Sequence, residues 1–398
     1  MTVEFDPVSA TFFEDPLEAY RSLRDDAPLY FNEKHGFYAL SRYEDVVAAH
    51  KDWSAFSSAH GVDLEHLFHD PDQVRSLRSI IMMDPPDHDT FRAIVSRVFT
   101  PKAISALEPM VREVIGGYAA AIGDARTFDA VQDFSGPFPV EVISNMLGVP
   151  EGERQQVRHW LDVMLTRDVG EINQPEAGAN ASISLGTYFY GLTQERRATP
   201  GDDVLSRLVL ATVKREDGTE TGLTDPEIAG FTALLGGAGA ETVTKLVANA
   251  FVLFARYPGQ WKLVREDPSR IPAAVEEILR FLPPSQYQGR FSTKDIEIAG
   301  GTIPKGFPVL LLTGAATRDE RFFDRADEFD IDRPASHALG FGLGIHSCLG
   351  AALARIESRV ALEEMVQRWP SFEIDEAGLR RVAMTNVAGF SNVPVNVL

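Results

Sequence analysis

The chain has a single cysteine, Cys348, among its 398 residues. One thiol cannot close an intramolecular disulfide, so the sequence fits a reducing compartment and not a disulfide-framed secreted domain. Positive charge is also scarce: 38 Lys and Arg stand against 58 Asp and Glu, a formal net charge of −20. Nucleic acid and anionic membrane surfaces both demand a positive field, so neither is expected as a general partner. No uninterrupted run reaches the ~18 apolar residues of a membrane span. The acidic opening MTVEFDPVSATFFEDP lacks the basic and apolar regions of a secretory signal, and a cytoplasmic location is expected. There is no internal repeat, low-complexity tract or long Gly/Ser/Pro linker. Residues 1–398 therefore read as one domain, expected to be a monomer.

What is present is mostly helical pattern. Asp15-Pro16 opens a helix to about residue 26, and Leu29–Phe31 with Gly36–Leu40 read as a short hairpin. Residues 57–83 lack periodicity and read as a long excursion, a length usually reserved for function. Residues 87–256 read as nearly all helix, broken at Pro101, Pro150 and Pro200-Gly201. Thr224-Asp225-Pro226-Glu227 is a capping box that starts a helix running to about Arg256. A further helix at 272–281 stops before Pro283-Pro284. Strand-like pieces follow at Tyr287–Phe291, Ile296–Ile298 and Val309–Leu312. Residues 313–347 are irregular, a last long helix runs from after Cys348 to about Trp369, and the C-terminus returns to short strands. The class is mainly α with a small β-rich lobe.

Four segments carry chemistry. The cysteine lies in FGLGIHSCLG, Phe341 to Gly350, just before a helical pattern. Glycines permit a tight loop whose N–H groups point at the sulfur, and a following helix N-terminus would lower the thiol pKa. A nucleophilic thiolate would need a base in reach, and a structural zinc would need more sulfur or imidazole ligands than the sequence offers. Haem iron needs only one. The second segment, Glu277-Ile278-Leu279-Arg280, puts a carboxylate and a guanidinium on one helix face. The third, Asp84-Pro85-Pro86-Asp87-His88-Asp89-Thr90-Phe91-Arg92, places His88 and Arg92 one turn apart. The fourth, LLGGAGAETV, Leu234 to Val243, sets three glycines in a helix, although each costs about 1 kcal/mol relative to Ala. A phosphate loop fails there, since no strand precedes it and no Gly-Lys-Ser/Thr follows.

Taken together, these segments resemble the cytochromes P450. FGLGIHSCLG is similar to the family's haem signature Phe-x-x-Gly-x-His-x-Cys-x-Gly, in which the Cys is the axial iron ligand. The resemblance covers essentially the whole chain and implies the family's mostly α fold. It implies haem b held by Cys348, with Phe341, Ala238 and Gly239 against it and His88, Arg92, Arg290 and His346 on its propionates. It implies that Glu277 and Arg280, completed by Arg333, lock the segment behind the haem. Ala238-Gly239-Ala240-Glu241-Thr242 matches the oxygen-binding signature, with Thr242 bonding bound oxygen and Glu241 relaying protons. The glycines then give clearance and let the helix bulge. Val243 stands where the family often has a second Thr.

The reaction so implied is monooxygenation with O2 as co-substrate. The substrate is a lipophilic small molecule, and electrons come from a ferredoxin and ferredoxin reductase. Pocket candidates carried over by position are Ile81, Met82, Leu235, Ala238, Ser285, Gln286, Tyr287, Val387 and Phe390. Arg355 and Arg359 are candidates for the ferredoxin face. Two other readings stand beside this one. A haem protein serving as sensor or helper subunit would be expected to lose the Cys or the Glu–Thr pair. A cysteine hydrolase would leave the second and third segments without a purpose.

Overall fold

The computed structural model describes residues 3–77, 79–214, 218–334 and 339–398. Its longer helices are α1 Leu17–Asp26, α2 Tyr43–Lys51, α3 Asp87–Val95, α4 Glu108–Ile122, α5 Pro137–Leu147, α6 Arg154–Leu165, α7 Glu176–Ala198, α8 Asp225–Arg256, α9 Pro258–Glu266, α10 Ile271–Phe281 and α11 Ala351–Arg368. The expected boundaries hold at α1, α8, α10 and α11 within one or two residues. At the start of α8 the capping box forms: Glu227 N–H donates to Thr224 Oγ1, and Thr224 N–H donates to Glu227 Oε2 at 2.8 Å.

Helix α8 runs through the largest apolar core and packs against α5, α6, α7 and α11. By length and composition it could cross a membrane, but 78% of its most apolar window is buried inside the fold. It stays α-helical from end to end, so the expected bulge at the glycines is absent. The glycines serve packing instead. A Cβ added at Gly239 would meet Ile143 of α5 at 3.2 Å, and one at Gly237 would meet Leu161 of α6 at 3.3 Å. Helices approach this closely only where a side chain is missing.

The principal sheet has strands β1 Leu29–Asn32, β2 Phe37–Leu40, β3 Phe56–Ser57, β4 Gln288–Ser292 and β5 Pro308–Leu311, in the order β1-β2-β5-β4-β3. β5 runs parallel to β2 and antiparallel to β4, with Val309 opposite Arg290. All four residues of β5 are buried, as a central strand requires. A second sheet joins Phe372–Ile374, Pro394–Val397 and Thr127–Asp129.

The 57–83 excursion has more structure than its sequence suggests: helices Leu64–Phe68 and Pro71–Ser76, then a 3₁₀ turn at Ile80–Met82. These pieces are too short to show a period. Asp63 caps the first by accepting from His66 N–H at 3.0 Å. The excursion is then tied to the segment between α6 and α7: Arg167 donates to Glu65 Oε2 at 2.7 Å, and Gln174 N–H donates to Oε1 at 3.2 Å.

Candidate active site

The Cys348 loop is shaped by its glycines. Gly342 and Gly344 have φ of +66° and +72°, a region that favours glycine. A Cβ on Gly344 would lie 2.3 Å from the His50 carbonyl oxygen, so α2 presses directly on this turn. Cys348 N–H donates to the Phe341 carbonyl at 2.8 Å and closes the loop. The Arg355 guanidinium covers the Phe341 ring at 4.4 Å. The area that Cys348 exposes faces a cavity of about 290 Å³. Burial nevertheless pushes its thiol pKa up, against the Gly350 N–H and the charges of Arg92 and Arg355. The sequence expectation that the helix start and glycine N–H groups would favour a thiolate is therefore corrected: desolvation outweighs them. Only a coordinated cation would deprotonate this thiol outright.

A wall of two arginines and neighbouring histidines rises beside the thiol. Arg92 on α3 donates to the Ser347 carbonyl at 2.7 Å, and Arg290 on β4 donates to the neighbouring Gly289 carbonyl at 2.7 Å. His346 shares this wall, and His88 packs edge-on against it with ring centroids 4.6 Å apart. Both Nε2 atoms are buried with no hydrogen-bond partner. Burial first, then the charges of Arg290, His88 and Arg92, push the His346 pKa down to about 3. Burial pushes Arg290 down to about 10. Asp89 meets only His88 Nδ1, at 3.1 Å, and the Nε2 atoms of His88 and His346 stay unpartnered beside two arginines, a demand that a dianionic group would relieve. The two propionates of haem b fit that demand, and the lone thiol facing the same cavity fits its iron. His50 on α2 belongs to this wall too, its pKa driven to about 3 by burial and Arg290. Nothing in the sequence ties a residue nearly 300 positions before His346 to this site; the sheet and α2 bring it there.

Ala238, Gly239 and Thr242 of α8 line the same cavity. The Thr242 hydroxyl donates to the Ala238 carbonyl at 2.9 Å. Glu241 does not line it. Its carboxyl points to the other side of α8, where Lys245 Nζ lies 2.6 Å from Oε1. The i, i+4 spacing could have flagged Lys245 from sequence.

Among the pocket candidates, Ile81, Leu235, Ala238 and Ser285 line the cavity, and Met82, Gln286, Tyr287, Val387 and Phe390 do not. Gln286 accepts from the Tyr20 hydroxyl at 3.0 Å, and Tyr287 donates to the Thr385 carbonyl at 3.2 Å. Both serve the N-terminal core, so neither is the polar anchor the sequence suggested. Val387 packs on Val382 and Met384, and Phe390 lies in the main core under Arg381. Polar points come instead from Gln288 and Asn386, which sequence reasoning missed. Arg355 and Arg359 also depart from expectation. Arg355 is paired with Glu276, and Arg359 with Glu108 and Glu363, so neither offers an unpaired charge to an acidic partner.

Behind the loop, Glu277 and Arg280 form a bidentate pair with both contacts at 2.8 Å. Arg280 spends its remaining donors on the carbonyls of Thr317, Ala326 and Glu328. Arg333 adds a contact to Glu277 at 3.3 Å and donates to the Arg325 carbonyl. The trio thus pins the segment 317–333 to α10.

Comparison with known proteins agrees with this geometry. The cytochrome P450 family model matches residues 184–395. Putative cytochrome P450 123 of Mycobacterium tuberculosis is 41% identical over 393 residues, covering 98% of this chain and 96% of that protein. Erythromycin C-12 hydroxylase of Saccharopolyspora erythraea is 36% identical over 359 residues, covering 89% and 87%. The crystal structure of CYP109E1 from Bacillus megaterium in complex with testosterone superposes with a TM-score of 0.86 at 31% identity, covering 97% and 98%.

Proposed function

The chain belongs to the cytochrome P450 family, and on that premise we propose that it inserts one atom of O2 into a lipophilic small molecule, with electrons from a ferredoxin and its reductase. The observation that carries the reading is one cavity with the only thiol of the chain on its wall, Ala238, Gly239 and Thr242 on α8, and a cationic rim. Bound haem b would supply oxygen activation at its iron. Cys348 would hold that iron, and His88, Arg92, Arg290 and His346 would hold the carboxylates.

The chain's own residues do the rest. Apolar walls such as Ile81, Phe231, Leu234 and Leu235 exclude water and favour an apolar substrate. Ser285, Gln288 and Asn386 give few, fixed polar points for orientation. Thr242 presents a hydroxyl that can turn from the Ala238 carbonyl toward the cavity, and Glu241 behind it stores a proton. A relative that hydroxylates erythromycin and a structural neighbour that takes testosterone support a bulky lipophilic substrate. The ferredoxin reading rests on likeness to bacterial relatives.

The test is spectroscopic first. The haem-loaded protein, reduced and treated with CO, should give the Soret band of thiolate ligation, and Cys348→Ser should lose it. Absence of that band in the parent protein overturns the reading. Compounds that displace water from the haem are then turned over with ferredoxin and ¹⁸O2. Product carrying one labelled oxygen is expected; tight binding with no oxidised product from any donor would leave a haem protein without oxygenase activity.

A further inference from the structure

On the side of α8 away from Cys348 lies a second cavity of about 270 Å³. Successive residues on a helix point about 100° apart. Thr242 therefore lines the first cavity while its neighbour Glu241 lines the second. Facing Glu241 across this second cavity is Asp162 of α6, with Arg158 one turn before it. The charged groups on its wall are Asp162 and Arg158 from α6 and Glu241 and Lys245 from α8. The segments 131–132 and 382–391 contribute no titratable lining residue.

The two acids differ in their access to water. The Asp162 side chain is 42% exposed and that of Glu241 is 6% exposed. Glu241 Oε1 lies 2.6 Å from Lys245 Nζ, at an angle that leaves it without a hydrogen bond. The two carboxyl groups line one cavity, and the charge of Asp162 favours a proton on Glu241. An outer acid in contact with water and an inner acid shut away from it make a two-station path that ends on α8 at the residue next to Thr242.

We propose that Asp162 is a positioning residue for proton delivery, passing protons from the water of the second cavity to Glu241 and holding the Glu241 carboxyl in its protonated form. The inference rests on the reading of Glu241 as proton donor and adds its source. Each turnover of a monooxygenase consumes O2, two electrons and two protons, and yields one inserted oxygen and one water. The pair moves only the protons: water protonates Asp162, Asp162 protonates Glu241, and the Glu241 proton leaves toward Thr242. Electrons enter by the separate route already proposed. The titration behaviour agrees, since burial raises the pKa of both acids and Asp162 raises that of Glu241 further against the pull of Lys245.

The test compares Asp162→Asn, Asp162→Glu and Glu241→Gln in the haem-loaded enzyme. Asp162 is half-exposed and Glu241→Gln keeps the size of a buried side chain, so these substitutions should fold and keep the parent CO spectrum. Infrared titration should show a protonated carboxyl band in the parent that Glu241→Gln removes. Asp162→Asn should lower its midpoint by about one pH unit, the effect of removing a neighbouring acid. With a surrogate electron donor, Asp162→Asn should release several-fold more hydrogen peroxide per electron consumed. The fall in coupling with rising pH should move to lower pH, and Asp162→Glu should restore both. An unchanged midpoint or an unchanged peroxide fraction in Asp162→Asn overturns the inference. If Glu241→Gln also leaves the peroxide fraction at the parent level, the reading of Glu241 falls with it; if Glu241→Gln raises peroxide and Asp162→Asn does not, only the role of Asp162 falls.

Discussion

Gly236, Gly237 and Gly239 sit within four positions of α8 and do different things. A Cβ at Gly236 would meet Phe189 at 3.7 Å, an ordinary contact, whereas one at Gly239 would meet Ile143 at 3.2 Å. Gly236→Ala should therefore stabilise the protein by up to about 1 kcal/mol through helix propensity. Gly239→Ala should gain nothing or lose about 1 kcal/mol to overpacking against α5. Urea midpoints of the two variants against the parent decide this, and equal gains at both would show that Ile143 yields freely. Glu241 supplies a second test at this scale. Burial pushes its pKa up from 4.5 to about 7, so the folded state binds the proton that the unfolded state releases. Its contribution is complete below about pH 4.5 and lost as pH rises through about 7, at most about 3 kcal/mol. Urea midpoints from pH 5 to 8 should fall along this window, and Glu241→Gln should flatten the fall.

At the scale of elements, α10 and the segment 317–333 are held by one buried pair. Glu277 and Arg280 are each about 3% exposed, and every N–H donor of Arg280 has an acceptor. Removing one partner leaves a buried charge unpaired, which costs about 3–5 kcal/mol. Glu277→Ala and Arg280→Ala should each lose that much in denaturant titrations and take up haem poorly. Arg280→Lys should also fail, because an ammonium cannot replace a five-donor fork. An i, i+3 spacing of Glu and Arg is common on exposed helix faces, where such a pair contributes little. Only the carbonyls supplied by residues 317–328 turn this one into a lock.

For the molecule as a whole, the 57–83 excursion gives Val62, Ile80 and Ile81 to the wall of the main cavity and is tied to the connection between α6 and α7. Glu65 and Arg167 join the two; their side chains are 13% and 5% exposed. Asp63 and His66 make a second ion pair in the excursion, with the His pKa raised and the Asp pKa lowered by the contact despite the opposing effect of burial. Glu65→Ala should loosen both segments together. Hydrogen exchange should speed up in 57–69 and 166–175 while α8 keeps its protection, and ligands should bind and leave faster with a smaller change in affinity. Unchanged exchange in 166–175 would show that the ion pair does not couple them.

Local chemistry made much of this protein legible in its sequence. Caps, prolines and helical period marked the main helices, and short motifs, read through their resemblance to the family, singled out Cys348, Thr242, the Glu277–Arg280 pair, Arg92, Arg290 and the histidines at 88 and 346. Those features are carried by neighbours in the chain. What the tertiary structure decided depends on which distant surfaces meet. Contact with α5 and α6 gave the α8 glycines a packing role, while Gly239 also lines the main cavity. Desolvation turned the Cys348 thiol away from ionisation. The turn after Pro284 sent Gln286 and Tyr287 into the N-terminal core. Packing of α6 on α8 gave Glu241 a second acid. Burial and close approach are sums over many segments, and no single stretch of sequence contains them.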